Sequence, residues 1–380
     1  MRVSTEDESV PGTTRTVDQV PPAPPTPDAP VSRSRAWPWW LGAALFLGTA
    51  AALFAAFTVE IGHFEFRPGS ARPTAALVTV GDDVATHPPV GEIAFTTVSL
   101  RQSTVASYVW AWFDDDVQVV PDEAILGNRS PQENRQFNMQ LMDTSKQDAI
   151  RVALLELGYE VPVSVDGVVV VGVQAGSAAE GVLERGDSVV AIGGEVLDDI
   201  DAVRRIMGVK GPGETVQLTV EPLRGGAAEQ VDVVLGSSPD DPARGLIGIS
   251  LEPRSPAYAF PIEVDIDSGN VGGPSAGLAF TLAVLDVLTP GELTGGLDVA
   301  VTGTIDGAGN VGDVGGVRQK TAAAIDEGYD VFLVPSGEYQ EAAERAGDAL
   351  EVISVDTLGD ALDALASLGG SELGTAADEG

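Results

Sequence analysis

The stretch Gly269-Asn-Val-Gly-Gly-Pro-Ser275-Ala-Gly-Leu278 joins a glycine-rich loop to a run of helix-forming residues that extends from Ala276 to Leu288. The N-terminus of a helix presents free N–H groups and a partial positive charge, which favour negative charge close by. Ser275 lies at this junction, so backbone N–H groups around residues 273–275 are predicted to stabilise the oxyanion that forms when a serine attacks a carbonyl. A serine that only caps the helix is the alternative interpretation.

Few residue types in this chain could act as a general base for Ser275. There is no cysteine, which excludes cysteine nucleophiles, thiolate metal sites and disulfides. Residues 273–277 match the G-x-S-x-G pattern of α/β-hydrolases, but that fold needs a histidine after the serine. Because the only histidines, His63 and His87, both precede Ser275, the α/β-hydrolase interpretation fails.

Lysine is the remaining candidate base, and the chain has three: Lys146, Lys210 and Lys320. The first lies in a polar stretch and the second in a Gly-Pro turn, so both are expected to be solvated. Lys320 instead lies in the first turn of a helix predicted over residues 317–327, beside the apolar run 322–325. Desolvation there would lower its pKa and leave a neutral amine able to accept the serine proton. A solvated lysine on a surface helix is the alternative.

Three ordered motifs resemble the proteolytic domain of Lon proteases, which use a Ser–Lys dyad: Gly273-Pro-Ser-Ala-Gly277, Thr302-Gly-Thr-Ile305 and Gly315-Gly-Val-Arg-Gln-Lys320. The resemblance covers residues 241–368 and implies that Ser275 is the nucleophile and Lys320 the base. It also implies that the hydroxyl of Thr302 orients the lysine and that Gly273 and Pro274 support the nucleophile loop.

Two positions depart from the Lon pattern. Thr304 occupies a position where Lon usually has glutamate, and Gly272 a position where many Lon proteases have aspartate. Neither belongs to the dyad, but both leave the local geometry and the substrate preference open.

Residues 161–238 contain a second motif, Ala-x-Gly-x-Leu-x-x-Gly-Asp-x-Val-x-x-Ile-x-Gly, which begins at Ala179 and resembles bacterial PDZ domains. PDZ domains bind a peptide by adding it as a strand to the edge of a sheet. The resemblance places the groove between a strand at 168–173 and a helix at 199–207. The predicted peptide-binding residues are Val168, Val169, Val170 and Val171. A β-rich spacer without a ligand is the alternative.

The N-terminal part of the chain predicts a membrane anchor. Residues 1–35 are rich in Pro, Thr, Ser, Asp and Glu and are predicted to form a disordered cytoplasmic tail. Residues 36–59 carry no charge and are long enough, at about 1.5 Å per residue, to cross a hydrocarbon layer of ~30 Å as a transmembrane helix. A buried helix is one alternative; a cleaved signal peptide is another, although the apolar run is long and far from the N-terminus for one.

Residues that flank the apolar run predict its ends and its orientation. The tryptophans would form an interfacial aromatic belt at one end. Arg33 and Arg35 precede the run, so the positive-inside rule predicts a cytoplasmic N-terminus and an extracytoplasmic remainder. Arg67 and Arg72, on the other side, oppose that orientation. The belt would consist of Trp37, Trp39 and Trp40.

The remaining segments carry no chemistry that we could assign. Residues 60–160 are predicted to form a membrane-proximal α+β region, with a strand at 92–100 and helices at 103–113 and 134–158. This region resembles the stretch between anchor and PDZ domain in membrane-bound PDZ–Lon proteins of Gram-positive bacteria, including the actinobacterial type. Residues 369–380 are predicted to be a flexible tail. Because strands and helices mix without strict βαβ alternation, the fold class is predicted as α+β multidomain.

Composition and missing motifs limit the possible partners and cofactors. The net charge of −36 argues against nucleic acid and anionic membrane surfaces as partners. The sequence has no G-x-x-x-x-G-K-[ST] phosphate loop and no H-E-x-x-H motif, so ATP and catalytic zinc are not expected. The carboxylates of Asp114–Asp116 could suggest a metal, but a solvated turn is the simpler interpretation. No cofactor is predicted.

Together these features predict an ATP-independent, membrane-anchored serine endopeptidase whose PDZ domain selects or gates protein substrates. Its role would be envelope protein quality control or regulated proteolysis, at the plasma membrane. A homo-oligomeric ring is expected only by analogy with Lon. The alternatives from other functional classes are a non-catalytic PDZ scaffold and a chaperone-like envelope factor.

Overall fold

The computed structural model describes residues 37–199, 201–223, 227–239, 241–371 and 373. The predicted tail of residues 1–35 lies outside the described residues, as does most of the predicted tail of residues 369–380. The chain divides into two compact units after Ala55, and each unit is described by itself.

The first unit contains most of a single long helix, α1, which spans Trp37–Thr58. Its segment Trp39–Thr58 is long and apolar enough to cross a membrane, by length and composition. The rings of Trp39 and Trp40 lie 4.8 Å apart at the N-terminal end, and both side chains are exposed. The side chain of Trp37, the third residue of the predicted belt, lies outside the described part of the structure.

The helices and strands that follow alternate irregularly along the chain. The helices are α2 (Val105–Trp110), α3 (Asp122–Leu126), α4 (Pro131–Glu156), α5 (Ala202–Met207), α6 (Gly277–Leu288), α7 (Val317–Glu327), α8 (Tyr339–Ala346) and α9 (Leu358–Ser367), with short 3₁₀ turns at Ala75–Leu77, Ala111–Phe113 and Ser336–Glu338. The strands are β1 (Glu60–Pro73), β2 (Val78–Val80), β3 (Glu92–Thr104), β4 (Gln118–Pro121), β5 (Val163–Ser164), β6 (Val168–Val173), β7 (Ser188–Ile192), β8 (Glu195–Val196), β9 (Thr215–Glu221), β10 (Glu229–Val234), β11 (Gly236–Ser237), β12 (Gly245–Leu246), β13 (Ile249–Pro253), β14 (Ala257–Tyr258), β15 (Val264–Ile266), β16 (Asp298–Val301), β17 (Thr304–Ile305), β18 (Val311–Gly312), β19 (Val331–Pro335) and β20 (Glu351–Val355).

One mixed sheet of the second unit contains strands from both its N-terminal and its C-terminal part, in the order β20-β19-β16-β3-β1-β4. The central pairing is parallel: β16 aligns Val301 with Phe95 of β3 on one side and with Leu333 of β19 on the other. Strand β19 is buried along its whole length, as expected for a parallel strand covered on both faces. Residues 60–156 and 264–367 therefore form one domain, called the main domain below. The predicted region of residues 60–160 is thus part of this domain, because three of its strands, β1, β3 and β4, belong to the sheet.

The core of the main domain is built around α6. Residues Gly277–Val287 are buried, which agrees with the uninterrupted apolar run in the sequence. Helix α6 packs against α4, where Ala149, Ala153 and Leu154 are among the buried residues of the same core. The rings of Phe95 and Phe280 lie 5.4 Å apart and link the sheet to α6. This packing fixes the N-terminal end of α6, where the glycine-rich loop enters.

A second, smaller domain is inserted between α4 and α6. Its sheet has the order β10-β9-β7-β6-β13, and its apolar core is separate from that of the main domain. The chain enters and leaves through β5 and β14, two short strands that pair with each other. Residues 168–253 are called the inserted domain below. The predicted start of the C-terminal domain at residue 241 was therefore too early, since β13 completes the inserted sheet.

We expect Asp286→Asn to stabilise the protein. Burial, with help from nearby Glu292, raises the pKa of Asp286 from 3.8 to about 6. The folded state thus binds this proton more tightly than the unfolded chain, so stability falls as pH rises from 3.8 towards 6 and stays lower above it. At pH 7 the free energy of unfolding of Asp286→Asn should be about 2 kcal/mol higher than that of the parent. This difference should disappear below about pH 4.

Urea unfolding of the full chain in detergent at pH 4 and pH 7 would measure this difference. The exposed Asp298→Asn is the matched control and should show no change with pH. Equal stability of parent and Asp286→Asn at pH 7 would contradict the prediction.

Candidate active site

A cleft of about 1070 Å³ opens in the main domain. Its walls come from β1 and β3, from the loop 269–276, and from residues 313–315 before α7. Both Ser275 and Lys320 line it, as does Thr304. The structure therefore brings the two residues of the predicted dyad to one cavity, although Ser275 comes from the loop before α6 and Lys320 from α7.

The loop that carries Ser275 ends just before α6, which begins at Gly277. Gly273 adopts the left-handed region with φ +94°, which reverses the chain before Pro274. Helix α4 holds this reversal at two points. The N–H of Gly273 donates to the carbonyl of Asn138 at 2.8 Å, and Ser145 Oγ donates to the carbonyl of Pro274 at 2.9 Å.

Asn138 and Ser145 hold the loop that carries Ser275, and sequence reasoning missed both. They lie in the region of residues 60–160, to which no chemistry was assigned. Ser145 is a small polar residue on the buried face of a long helix, and its hydroxyl finds the hydrogen-bond partner that a buried polar group needs in this loop. Asn138 acts through its backbone carbonyl, while its side chain donates to the carbonyl of Asn134, so it leaves no side-chain signal in the sequence.

Gly277 allows this loop to pack closely against its surroundings. A Cβ at this position would lie 2.8 Å from Ser145 Oγ and 2.9 Å from the backbone nitrogen of Ile305. The N–H of Gly303 also donates to the carbonyl of Ser275 at 3.0 Å. The second glycine of the Gly-Pro-Ser-Ala-Gly motif is thus required by packing, because any side chain would displace the loop from α4 or β17.

Lys320 lies on the first turn of α7 and is 2% exposed. Its Nζ donates to Thr302 Oγ1 at 3.0 Å, and Thr302 Oγ1 in turn donates to the carbonyl of Ser275 at 3.3 Å. Thr302 therefore connects the lysine to the backbone of the serine. The other lysines, Lys146 and Lys210, pair with Asp143 and Glu214 at partly exposed positions.

The burial of Lys320 changes its chemistry. Burial lowers the pKa of Lys320 from 10.5 to about 7, and the carboxylate of Glu338 opposes part of this shift. Glu338 accepts a hydrogen bond from the N–H of Val314 at 3.0 Å, and its own pKa is raised by burial. A substantial fraction of Lys320 is therefore a neutral amine at neutral pH, with a lone pair available for a proton.

The backbone donors for an oxyanion differ from those expected. Sequence reasoning placed them around 273–275, but the N–H of Gly273 already donates to Asn138 and Pro274 has none. Among the described residues, no acceptor faces the N–H of Ser275 or of Ala276. These two groups, at the start of α6, are the donors that remain free for a developing negative charge.

The acidic turn at Asp114–Asp116 has a structural role. Arg345 Nη2 of α8 donates to the carboxylate of Asp116 at 2.8 Å, and Arg318 Nε of α7 donates to the carbonyl of Asp115 at 2.8 Å. The turn therefore braces α7, the helix that carries Lys320. In the described part of the chain, no group of three or more His, Cys, Asp or Glu side chains could hold a metal ion.

The predicted peptide groove of the inserted domain was placed on the wrong strand. Strand β6 pairs with β7 on one side and with β13 on the other, so Val168, Val169, Val170 and Val171 have no free edge to offer. Strand β13 is instead the outermost strand of this sheet. The prediction failed because strand order cannot be derived from a local apolar run.

Strand β13 has the features of an open edge. Gly248, in the left-handed region with φ +82°, turns the chain into it. Ile249 and Leu251 are only partly buried, and they pack on the same core as Val203 and Ile206 of α5. Half-buried apolar side chains on an edge strand are what an added peptide strand would cover.

Two protein-family models match parts of this chain. Residues 257–367 match the Lon protease (S16) C-terminal proteolytic domain, and residues 136–235 match the PDZ domain. The Lon protease of Campylobacter jejuni subsp. jejuni serotype O:2 is 30% identical over 122 residues, which cover 30% of this chain and 15% of the relative. The Lon protease of Phenylobacterium zucineum is 36% identical over 95 residues, or 24% of this chain and 12% of the relative.

Among solved structures, the PDZ domain of an SdrC-like protein from Listeria monocytogenes is 29% identical, with a TM-score of 0.21; the match covers 23% of this chain and 87% of that one. The chain thus spans only a small part of the full-length Lon proteases that it matches. The chain combines the proteolytic domain of the Lon (S16) serine protease family with a PDZ domain.

Proposed function

We propose that this protein is an ATP-independent serine endopeptidase, anchored in a membrane by α1, that cleaves flexible or unfolded proteins with a Ser275–Lys320 dyad. The observation that carries the proposal is a lysine buried to 2% exposure on the same cleft as a serine that precedes a helix. A solvated lysine or a simple capping serine would not require this burial.

The geometry supports an acyl-transfer mechanism. Lys320 donates one N–H to Thr302, which leaves the lone pair of the neutral amine free to remove the proton of Ser275 Oγ. The Oγ then attacks the scissile carbonyl, and the N–H groups of Ser275 and Ala276 donate to the oxyanion of the tetrahedral intermediate. As this intermediate collapses, the C–N bond breaks and the Lys320 ammonium protonates the leaving amine.

Deacylation uses the same groups in reverse. Lys320, neutral again after it protonates the amine, removes a proton from a water molecule that attacks the Ser275 ester. The tetrahedral intermediate then releases the new carboxylate, and the proton returns to Ser275 Oγ. Thr302 remains bonded to the carbonyl of Ser275 and keeps the lysine in reach at both steps.

The membrane and ATP parts of the proposal rest on sequence and on α1. Segment Trp39–Thr58 is long and apolar enough to cross a bilayer, and Arg33 and Arg35 before it favour a cytoplasmic N-terminus. The main and inserted domains would then lie outside the cytoplasm and act on envelope proteins. The sequence has no phosphate loop, so substrates must already be unfolded or flexible. A homo-oligomeric ring remains a proposal by analogy with Lon.

Cleavage of casein by the full chain in detergent, without ATP, tests the proposal. Casein is intrinsically flexible and needs no unfoldase. We expect peptide products to accumulate at the same rate with and without ATP. Cleavage that requires ATP would contradict ATP independence, and a folded chain that leaves casein intact would favour the scaffold or the chaperone-like factor.

The rate of cleavage should rise with pH through about 7. Because burial lowers the pKa of Lys320 to about 7, the base is protonated and inactive below this value and neutral above it. We expect kcat/KM for a peptide substrate to show a single acidic limb with that midpoint. Glu338→Gln removes the carboxylate that raises this pKa, so the limb should move to lower pH by up to about one unit.

The exposed Glu351→Gln is the matched control for this profile and should leave the midpoint unchanged. A limb near pH 10 would mean that Lys320 is not desolvated in the working enzyme. A midpoint that is unchanged in Glu338→Gln would mean that the carboxylate of Glu338 does not affect the pKa of Lys320.

We further propose that the inserted domain binds peptides along β13 and thereby selects or gates substrates. Ile249→Ser and Leu251→Ser should each weaken binding of an extended apolar peptide about 5- to 10-fold, because each removes apolar area that the peptide would cover. Val231→Ser, on the opposite edge strand and equally part-buried on the same core, is the control. Fluorescence polarisation of a labelled peptide would measure the difference. Equal weakening by all three variants would indicate loss of the fold and not of a groove.

A further inference from the structure

An exposed aromatic surface lies outside the catalytic cleft and the inserted domain. Segment 105–113 has no charged residue, and its side chains of Trp110, Trp112 and Phe113 are 69%, 72% and 80% exposed. Val105 and Val109 are about half exposed beside them. These five residues are called the aromatic patch below. Clustered exposed aromatic side chains on a folded domain indicate an interaction surface.

The patch is held in a defined conformation. Helix α2 begins with a reciprocal capping box between Thr104 and Ser107. The ring of Tyr108 lies 5.5 Å from that of His63 on β1 and 6.1 Å from that of Trp112. In the turn that follows, Asp116 forms ion pairs with Arg345 of α8 and, at 3.9 Å, with Arg318 of α7. The exposed side chains are therefore fixed by their neighbours while their own faces stay free.

Chain connectivity keeps this patch near the end of the apolar helix. Glu60 pairs with Thr104, the residue directly before α2, and Glu60 follows closely after Thr58, the last residue of α1. The chain from Thr58 to His63 spans at most roughly 18 Å even when fully extended. Since His63 contacts Tyr108, the patch stays within a short distance of the end of α1 for any orientation of that helix.

We propose that the aromatic patch inserts into the interfacial layer of the same bilayer that α1 spans. Tryptophan prefers this layer because its ring is apolar and its N–H can bond to water or headgroups. The net charge of −36 gives no attraction to anionic lipid, so the insertion rests on burial of apolar area. This inference rests on the proposed membrane anchoring. A second attachment would limit how far the catalytic cleft moves from the lipid surface.

The absence of native cysteine allows a direct test in the full chain. Single cysteines at Val109→Cys in the patch, Leu47→Cys in α1 and Val209→Cys in the inserted domain would each carry a fluorophore. Val209 is 82% exposed and serves as the solvent control. The protein would be placed at one copy per nanodisc of phosphatidylcholine, with either a nitroxide-labelled lipid or a water-soluble quencher.

We expect the lipid nitroxide to quench the labels at 47 and 109 and the aqueous quencher to reach only 209. If the label at 109 is quenched only from water, the patch does not insert and the inference is wrong. A label at 109 that is shielded from both quenchers at one copy per disc would also overturn it, because the patch would then be covered by the protein itself and not by lipid. If the label at 47 is not quenched by lipid, the proposed anchoring itself fails.

The triple variant Trp110→Ser/Trp112→Ser/Phe113→Ser supplies a second readout. Combined with Val109→Cys, the triple variant should lose most of the lipid quenching of the label at 109. Combined with Leu47→Cys, it should keep the lipid quenching of the label at 47. Its cleavage of a short soluble peptide should stay within about twofold of the parent, because no residue of segment 105–113 lines the cleft. Full lipid quenching in this variant would show that the aromatic side chains do not drive insertion, which would overturn the proposal.

Discussion

Ser275→Ala should reduce the cleavage of casein by at least about 10³-fold while the protein remains folded. Loss of the nucleophile removes the acyl-enzyme route, and such losses in serine proteases are of this size or larger. The N–H donors of Ser275 and Ala276 stay in place in the variant, so any residual hydrolysis reports the backbone alone. Product release measured over several hours with the full chain in detergent has the range to detect this.

Ser367→Ala is the control for that experiment, because its hydroxyl bonds only to the carbonyl of Ala364 on α9. It should cleave at the parental rate. If Ser275→Ala retained more than a tenth of the activity, Ser275 would not be the nucleophile. A parent as inactive as Ser275→Ala, and folded, would instead favour the scaffold or chaperone-like function.

Lys320→Met should abolish activity to a similar degree and, in contrast to Ser275→Ala, make the protein more stable at neutral pH. The folded state lowers the pKa of Lys320 from 10.5 to about 7 and so binds this proton less tightly than the unfolded chain. Stability of the parent therefore falls as pH decreases from 10.5 to 7 and does not change further below 7. Methionine has similar length, no charge and nothing to protonate.

The gain in unfolding free energy should be on the order of 2–4 kcal/mol at pH 7 and should disappear as pH approaches 10.5. Removal of Lys320 also leaves the buried carboxyl of Glu338 without its nearest cation, which offsets part of the gain. The double variant Lys320→Met/Glu338→Gln should recover that part. Urea unfolding at several pH values measures all three proteins.

Lys210→Met is the matched control, since Lys210 is partly exposed and pairs with Glu214. It should change neither the activity nor the pH dependence of stability. A Lys320→Met variant that is less stable than the parent at pH 7, with no dependence on pH, would mean that the lysine is charged in the folded state. It would then be an unsuitable base for Ser275.

Several features of this protein follow from short stretches of sequence. The uncharged run that forms α1 specifies an apolar helix by composition, and the helix at Val317–Glu327 was predicted with its observed bounds. The three motifs around Ser275, Thr302 and Lys320 are each contiguous in the chain, so their resemblance to Lon proteases is visible in the sequence alone. The close approach that requires Gly277, in contrast, is to Ser145 and Ile305 from distant segments.

Other features were decided by tertiary structure alone. The parallel pairing of β16 with β3 joins residues about two hundred positions apart, and no local pattern specifies which strands pair. The same limitation hid the free edge at β13 and the hydrogen bonds by which Asn138 and Ser145 hold the loop that carries Ser275. The pKa of Lys320 likewise depends on the residues that surround it. Short motifs in the sequence thus predicted the candidate dyad, whereas the environment of these residues depends on the tertiary structure, because burial and hydrogen bonding arise from contacts between distant segments.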